Sequence, residues 1–285
     1  MMQHIPVLEK EMLALLSPQN DGVYFDGTLG GGGYTKAILE AANCRVIACD
    51  RDPTVKIIAE ELKTNYSERF SFFHAKFSDI KSIIKSPLDG IVLDLGVSNF
   101  QLTDPSRGFS FNLSGPINMS MGLCTETALD VIRNYSEKDL ADIIYTLGEE
   151  HFSRRIAKNI KLNLGKINNT QDLAYIIRSC VRKTRKIDSA TKTFQALRIF
   201  VNDELEELKK ILQCSINLLN PNGKIVILSF HSLEDRIVKF FFRELASKGS
   251  LFKLLTKRPI TPTSEEIHSN PKSRSAKLRG ITMVC

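Results

Sequence analysis

Apolar residues recur in two rhythms along this chain. In the first third, short apolar runs alternate with stretches of helical spacing. Residues 23–26, 45–50, 70–74 and 90–94 read as strands, and the last of these (Gly-Ile-Val-Leu-Asp) is an unbroken apolar run suited to a central parallel strand. Residues 35–41 and 54–63 read as helices, the second entered through Pro53, a residue that suits a first helical turn. This βαβ alternation predicts an α/β fold with a doubly wound sheet.

From about Leu113 to Ser189 the strand rhythm stops. Residues 136–147 read as a helix capped by Ser136 and ended by Gly148, and 149–164 as a second ended by Gly165. Thr170 is the expected cap of a third, with Leu173, Ile176, Ile177 and Val181 at helical spacing. Residues 191–219 read as one long helix, stopped by Asn220-Pro221-Asn222-Gly223. A strand over 224–229, a helix over 236–245, a polar loop region over 257–276 and a strand over 280–284 complete the pattern. The expected organisation is therefore residues 1–112 as the first part of an α/β domain, 113–190 as an all-helical insertion and 191–285 as the second part.

The join between the first strand and first helix carries the candidate chemistry. It reads Asp26-Gly27-Thr28-Leu29-Gly30-Gly31-Gly32-Gly33-Tyr34-Thr35, and glycines there let a ligand lie against bare backbone. Asp50 ends the next strand, about 20 residues on, a spacing that suits a carboxylate on ribose hydroxyls. No Gly-Lys-Ser/Thr follows, so this is not a P-loop, and Thr35 breaks the strict GxGxxG pattern. A nicotinamide-dependent oxidoreductase shares this opening and stays open on these residues alone. Asp94 ends the fourth strand, so Asp26, Asp50 and Asp94 are expected on one rim, where acids suit a cationic ligand. Arg107-Gly108-Phe109-Ser110-Phe111 offers a cation and two aromatics, either for stacking on bases or for core packing. His231, in Ser229-Phe230-His231-Ser232-Leu233-Glu234-Asp235-Arg236, is either an acid–base group or a hydrogen-bonded structural residue. Glu234 and Asp235 equally suit the first turn of the following helix.

Composition narrows the class. The 285 residues, 42% of them hydrophobic, suffice for one substantial core plus a smaller satellite. No apolar run approaches the roughly 20 residues of a membrane span, and no signal peptide is expected at the start. Six cysteines without CxxC spacing are expected as free thiols in a reducing cytoplasm, and five histidines show no metal-ligand spacing, so no metal is expected. The formal net charge of +7 favours a polyanionic partner. Three basic groups stand out as candidates for gripping RNA: Arg154, Arg155, Lys158 and Lys161; Arg182, Lys183, Arg185 and Lys186; and Lys272, Arg274, Lys277 and Arg279.

Seven segments then occur in one order: His4-Ile5-Pro6-Val7-Leu8, Gly27-Thr28-Leu29-Gly30, Asp94-Leu95-Gly96-Val97-Ser98, the Arg107 to Phe111 run, Thr193-Phe194-Gln195-Ala196-Leu197-Arg198-Ile199, the Ser229 to Arg236 run, and Arg274-Ser275-Ala276-Lys277-Leu278-Arg279. Together they make the chain resemble the bacterial 16S ribosomal RNA cytosine-N4 methyltransferases from His4 to Arg279. The resemblance implies a Rossmann-like class I methyltransferase sheet interrupted by a helical domain for substrate recognition. It implies S-adenosyl-L-methionine as cofactor, and a cytidine of 16S ribosomal RNA in the small ribosomal subunit as substrate. The cofactor contacts it implies fall on Gly32, Gly33, Tyr34, Asp50, Phe77, Asp94 and Gln101. Asp94 is also the candidate catalytic residue, and Ser98, Asn99, Arg107, Phe109, Asn118 and His231 are candidate substrate residues. The chain departs from the family pattern at Tyr34, Asn99, Asn118, Ser120, Ser189, Lys192 and Lys272. Asn118 and Ser120 replace an acid and a base, which motivates the alternative of a catalytically impaired ribosome-assembly or RNA-binding protein of the same fold.

Overall fold

Chain order places helix α1 (Glu9–Leu16), strand β1 (Val23–Asp26), α2 (Gly33–Ala41), β2 (Arg45–Asp50), α3 (Lys56–Tyr66), β3 (Phe70–His74), α4 (Ile80–Ile83) and β4 (Leu88–Asp94) first. Six helices follow with no strand among the described residues: α5 (Asn99–Thr103), α6 (Ala128–Asn134), α7 (Glu137–Gly148), α8 (Ser153–Leu162), α9 (Thr170–Cys180) and α10 (Thr191–Asn202). Then come α11 (Glu204–Ser215), β5 (Leu219–Ser229), α12 (Ser232–Ser247), β6 (Phe252–Leu254), α13 (Ser264–Ser269) and β7 (Lys277–Met283). The computed structural model describes residues 6–181, 188–247 and 251–284, so the basic run from Arg182 to Lys186, His4, Ile5 and Cys285 lie outside it. No helix of the described residues is long and apolar enough to cross a membrane, and Cys44, Cys49, Cys124, Cys180 and Cys214 are free.

The seven strands form one sheet in the order β3-β2-β1-β4-β5-β7-β6, with the first five parallel and β7 and β6 antiparallel. Strand residues alternate between its two faces, as period 2 requires. Tyr24, Val46, Val92 and Val226 enter one core with Met12 and Leu16 of α1 and Ile38 of α2. Phe25, Ile91, Leu93, Ile225 and Ile227 enter the other with Leu208, Ile211 and Leu212 of α11 and Val238 and Phe242 of α12. Strand order reverses beside β1, between the β1–β2–β3 half and β4, and a crevice opens at such a switch point outside the carboxyl ends of the strands.

The chain divides into two compact units, Met1–Gly96 with Leu205–Cys285, and Val97–Glu204. The second is wider at both ends than the 113–190 expected from sequence. The reason is packing: Phe109 near its start and Phe194, Leu197 and Val201 of α10 belong to the helical unit's own core. The expected long helix over 191–219 is broken at Asp203, which takes a left-handed conformation (φ 53°). Asn202 directs the break, because its buried carboxamide accepts from Met121 N (2.8 Å) and donates to Met119 O (2.8 Å). Ser136 caps α7 as expected, whereas α9 is capped by Asn169, which accepts from Gln171 and Asp172 N–H, rather than by Thr170. The Asn220 to Gly223 run is a bulge within β5, where the register on β4 passes from Leu88↔Leu219 to Gly90↔Lys224. Strand β6 and helix α13, in stretches too short to show a periodic signal, escape the sequence pattern.

Two cations expected to face RNA serve the fold instead. Arg279, buried on β7, donates from Nε to Asp235 Oδ1 (2.7 Å), and Lys277 Nζ lies 3.2 Å from Asp235 Oδ2. Asp235 is a first-turn residue of α12, so the pair ties that helix to the sheet. Burial opposes its ionisation, but the hydrogen bonds and charges of Arg279 and Lys277 outweigh this and hold the carboxyl below its ordinary range. Arg279→Ala is expected to cost about 1.5–3 kcal/mol of stability, the scale of a lost charged hydrogen bond with Lys277 still paired to Asp235, measured by urea unfolding. Because Asp235 is depressed, its contribution is complete above the ordinary carboxyl value and is lost as pH falls through the lower native one. The gap between wild type and Arg279→Ala should therefore narrow in acid.

Candidate functional site

The Gly-rich turn after β1 is organised from inside by Asp26. Its buried carboxyl accepts from Thr28 N (3.0 Å) and Thr35 Oγ1 (2.7 Å), so it anchors the turn rather than facing a ligand as the sequence suggested. Burial raises its pKa, opposed by those Thr35 and Thr28 hydrogen bonds. Gly32 takes φ +75°, and a Cβ there would stand 3.0 Å from Ile58 Cγ2 and Leu62 Cδ1. Gly33 lies so close to Pro6 that a Cβ would fall 2.3 Å from its Cγ. Helix α2 starts at this point, and the first N–H groups of a helix have no acceptor within it. Gly33 and Tyr34 therefore present backbone donors at the carboxyl edge of the sheet. The Tyr34 ring is not part of that surface: it is buried in the core, and its hydroxyl donates to Val7 O.

Asp50, at the end of β2, accepts from Gly30 N (2.9 Å) and Asp52 N (2.8 Å). Burial lifts its pKa to about 6 in spite of these two bonds, with Asp52 and Asp26 adding repulsion. Asp94, at the end of β4, is tied by its own N–H to Thr28 Oγ1 (2.7 Å), and its Oδ1 is buried without a hydrogen-bond partner. Burial, then Asp26, then Glu234 push its pKa up to about 8. Phe77 stands in a 3₁₀ turn after β3, half-buried, with its Cβ against Gly27. Gly32, Gly33, Tyr34, Asp50, Phe77 and Asp94 thus all lie at or just past the carboxyl ends of β1–β4. Sequence reasoning missed Thr28, which touches both Asp26 and Asp94. Its place two residues after an aspartate at a strand end, the Asx-turn spacing, was the available signal.

His231 takes part in a helix cap, the structural one of its two readings, and its Nε2 is buried without a hydrogen-bond partner. It precedes α12, where its Nδ1 accepts from Glu234 N (3.4 Å) while Glu234 Oε2 accepts from Phe230 N (2.8 Å) and His231 N (3.3 Å). This is a reciprocal helix cap, with Nε2 3.1 Å from Glu234 Oε1.

The remaining candidates belong to the helical unit. Ser98 and Gln101 close a capping box on α5: Ser98 Oγ accepts from Gln101 N (3.2 Å) and Gln101 Oε1 from Ser98 N (3.0 Å). Asn99 is the first residue of that helix. Phe109 is a buried core residue and Phe111 packs edge-on to Phe194 at 5.3 Å, so core packing, not base stacking, accounts for both rings. Arg107 lies over the Phe109 ring at 5.7 Å and donates to Ser120 O (3.0 Å). Asn118 Oδ1 accepts from Ser120 N (3.0 Å), and Ser120 Oγ accepts from Gly122 N (3.1 Å), so these two departures from the family pattern each hold the local turn.

The rim carboxyls make the free protein's stability pH-dependent. Both are raised in the folded chain, so their contribution is complete below the ordinary carboxyl value near 4 and declines as pH rises through about 6 for Asp50 and about 8 for Asp94. The wild-type unfolding temperature should fall between about pH 4 and 8 on account of these two groups, and Asp94→Asn should reduce that fall. Equal pH slopes for both proteins would contradict the assignment.

Comparison with known proteins identifies the family. The model of the MraW methylase family matches residues 1–284. A protein named ribosomal RNA small subunit methyltransferase H from Ehrlichia ruminantium (strain Welgevonden) is 49% identical over 298 residues, covering 98% of this chain and 99% of that one. Its namesake from Wolbachia pipientis subsp. Culex pipiens is 50% identical over 291 residues, with 98% and 99% coverage. A solved rRNA-methylase structure from Clostridium thermocellum shares the fold at 11% identity, with a TM-score of 0.52 and coverage of 99% and 100%. With a match of this extent, the chain belongs to the MraW methylase family.

Proposed function

We propose that this protein transfers the methyl group of S-adenosyl-L-methionine to the exocyclic N4 of a cytidine in 16S ribosomal RNA, within the small ribosomal subunit in the cytoplasm. One observation carries the reading of the cofactor: Asp94 holds a buried carboxyl oxygen with no partner, and the charges acting on it, Asp26 and Glu234, are of its own sign. A cationic ligand group relieves that arrangement. When bound, the cofactor supplies such a group, a sulfonium carrying an electrophilic methyl carbon.

The residues present fit the rest of that molecule. Asp50 retains lone pairs beyond those engaged by Gly30 and Asp52 N–H, enough to accept from ribose hydroxyls. The backbone donors of Gly33 and Tyr34 at the start of α2 suit its carboxylate. Phe77 supplies an apolar ring for the adenine. Asp94 is assigned the chemical role. The N4 lone pair is delocalised into the cytosine ring, so the nitrogen attacks weakly unless charge developing on it is stabilised. Asp94, ionised by a neighbouring positive charge, accepts an N4 proton as the new N–C bond forms and the S–C bond breaks. The cytidine must be unpaired or flipped out to reach such a crevice. Recognition of the RNA is assigned to the helical unit. The alternative of a protein that only binds RNA is not favoured, because relatives 45–50% identical over nearly the whole chain carry the name methyltransferase.

Small subunits from a strain lacking the modification should acquire labelled methyl groups on cytidine N4, and subunits that bind without gaining label would refute the assignment. In single turnover with saturating cofactor, Asp94→Asn should be slower by about 100-fold or more, the scale of a lost general base. A wild-type rate removes Asp94 from the chemistry. A second expectation concerns protons. Near neutral pH the free Asp94 carboxyl holds its proton, since its pKa lies at about 8. Binding the sulfonium should release it, whereas the uncharged thioether S-adenosylhomocysteine should release less. Calorimetry at pH 7.5 in two buffers of different ionisation heat measures this, and equal release by both ligands would place Asp94 away from the sulfonium.

A further inference from the structure

The positive charge of this chain is concentrated in one stretch. Residues 152–187 contain ten Lys and Arg and a single acid, Asp172, whereas the whole chain carries a net charge of only +7. The rest of the molecule is therefore slightly acidic, and the basic excess belongs to α8, α9 and the segment after them. Some of these cations are used internally: Lys161 Nζ donates to Ile132 O (2.6 Å) at the end of α6, and Arg178 forms a bidentate pair with Asp188. Among the described residues Arg154, Arg155 and Lys158 remain on α8 and Lys166 just after it, all exposed.

The same surface carries apolar groups that a solvated helix does not need. Tyr175 of α9 is 74% exposed and Leu162 of α8 is 73% exposed, the two highest values among the large hydrophobic residues of the described chain. Asn159 locks the two helices side by side, donating from Nδ2 to Ile176 O (3.1 Å) and Ser179 Oγ (3.0 Å). Arg155 and Leu162 lie on the Asn159 stripe of α8, and Tyr175 lies one turn before Ser179 on α9, so all three border one seam. Lys158 and Arg154 form the adjoining stripe.

Resting on the proposed RNA substrate, we infer that the outer face of α8 and α9 is the surface that grips it: Arg154, Arg155 and Lys158 hold backbone phosphates, and the Tyr175 ring stacks on an unpaired base beside Leu162. The charge selects a polyanion, and a solvent-facing ring flanked by cations suits single-stranded RNA better than a duplex.

The test uses the full chain, a 16S RNA transcript and isolated small subunits. Tyr175→Ala should weaken RNA binding about 10-fold, in line with removal of one stacked base, while Tyr175→Phe should restore it. The double variant Arg155→Gln/Lys158→Gln should lower the slope of log affinity against log salt by about 0.7 for each phosphate no longer held. Binding of S-adenosylhomocysteine should be unchanged in all of them, which shows the variants are folded. Wild-type RNA affinity and salt slope in these variants would overturn this surface while leaving the methyltransferase assignment intact. Variants that bind free RNA normally but lose affinity for whole subunits would overturn it in favour of a protein contact. Failure of the wild type itself to bind or methylate any 16S RNA would remove the substrate reading on which the surface rests.

Discussion

A carboxyl group buried among charges of its own sign is the constraint around which the first unit is arranged. Asp94 bears a desolvation penalty at the end of β4, and the neighbours acting on it, Asp26 and Glu234, increase that penalty. A structural acid is treated differently in this same protein. Asp235 is paired with Arg279 and Lys277, and Glu207 is buried against Ser78, Lys76 and Lys210; both are held below their ordinary range. The contrast separates acids that are paired with cations from an acid kept short of one. Perturbed carboxyls of the second kind cluster where ligands bind.

The turn that positions this acid depends on short polar side chains rather than on glycine alone. Glycine permits the left-handed steps and the approach to Pro6, but it fixes nothing. Fixing comes from Asp26, which gathers Thr28 and Thr35, and from Thr28 Oγ1, which receives the Asp94 N–H. Asp50 adds a second tie through Gly30 N. Three strand ends and the first turn of α2 are thereby linked through one hydrogen-bonded set. A rigid backbone at this point matters because alignment of reacting atoms contributes much of the acceleration in a displacement reaction.

Much of this was legible in the sequence because it rests on short-range rules. Short apolar runs placed β1 to β4, and carboxylates at the ends of β1, β2 and β4 placed the rim. What escaped was decided by long-range contacts. The continuous helix expected over 191–219 has no glycine or proline to stop it, and its break depends on Asn202 finding Met119 and Met121 some 80 residues earlier. Phe109 and Phe111 carry the same residue types whether they stack on a base or fill a core, and only the packed helical unit decides for the core. Likewise Arg279 reads as one of four surface cations until β7 is paired antiparallel to β5 and brings it to Asp235. His231 belongs in the same class, since its capping contact with Glu234 N–H appears only in the folded chain.

The two substrates assigned to this protein have opposite charge, and one electrostatic field does not serve both. A sulfonium is drawn to an acidic pocket, whereas a polyanionic RNA is repelled by it. The chain answers by segregation: the acids Asp26, Asp50, Asp94 and Glu234 belong to the sheet unit, and ten of the cations are gathered within residues 152–187 of the helical unit. Screening at physiological salt limits the reach of each field to about 8 Å. A modest net charge of +7 is what remains after these larger local charges of opposite sign are summed. The division of the chain into two units is thus also a division of charge, with the rim acids in one and the basic excess of residues 152–187 in the other.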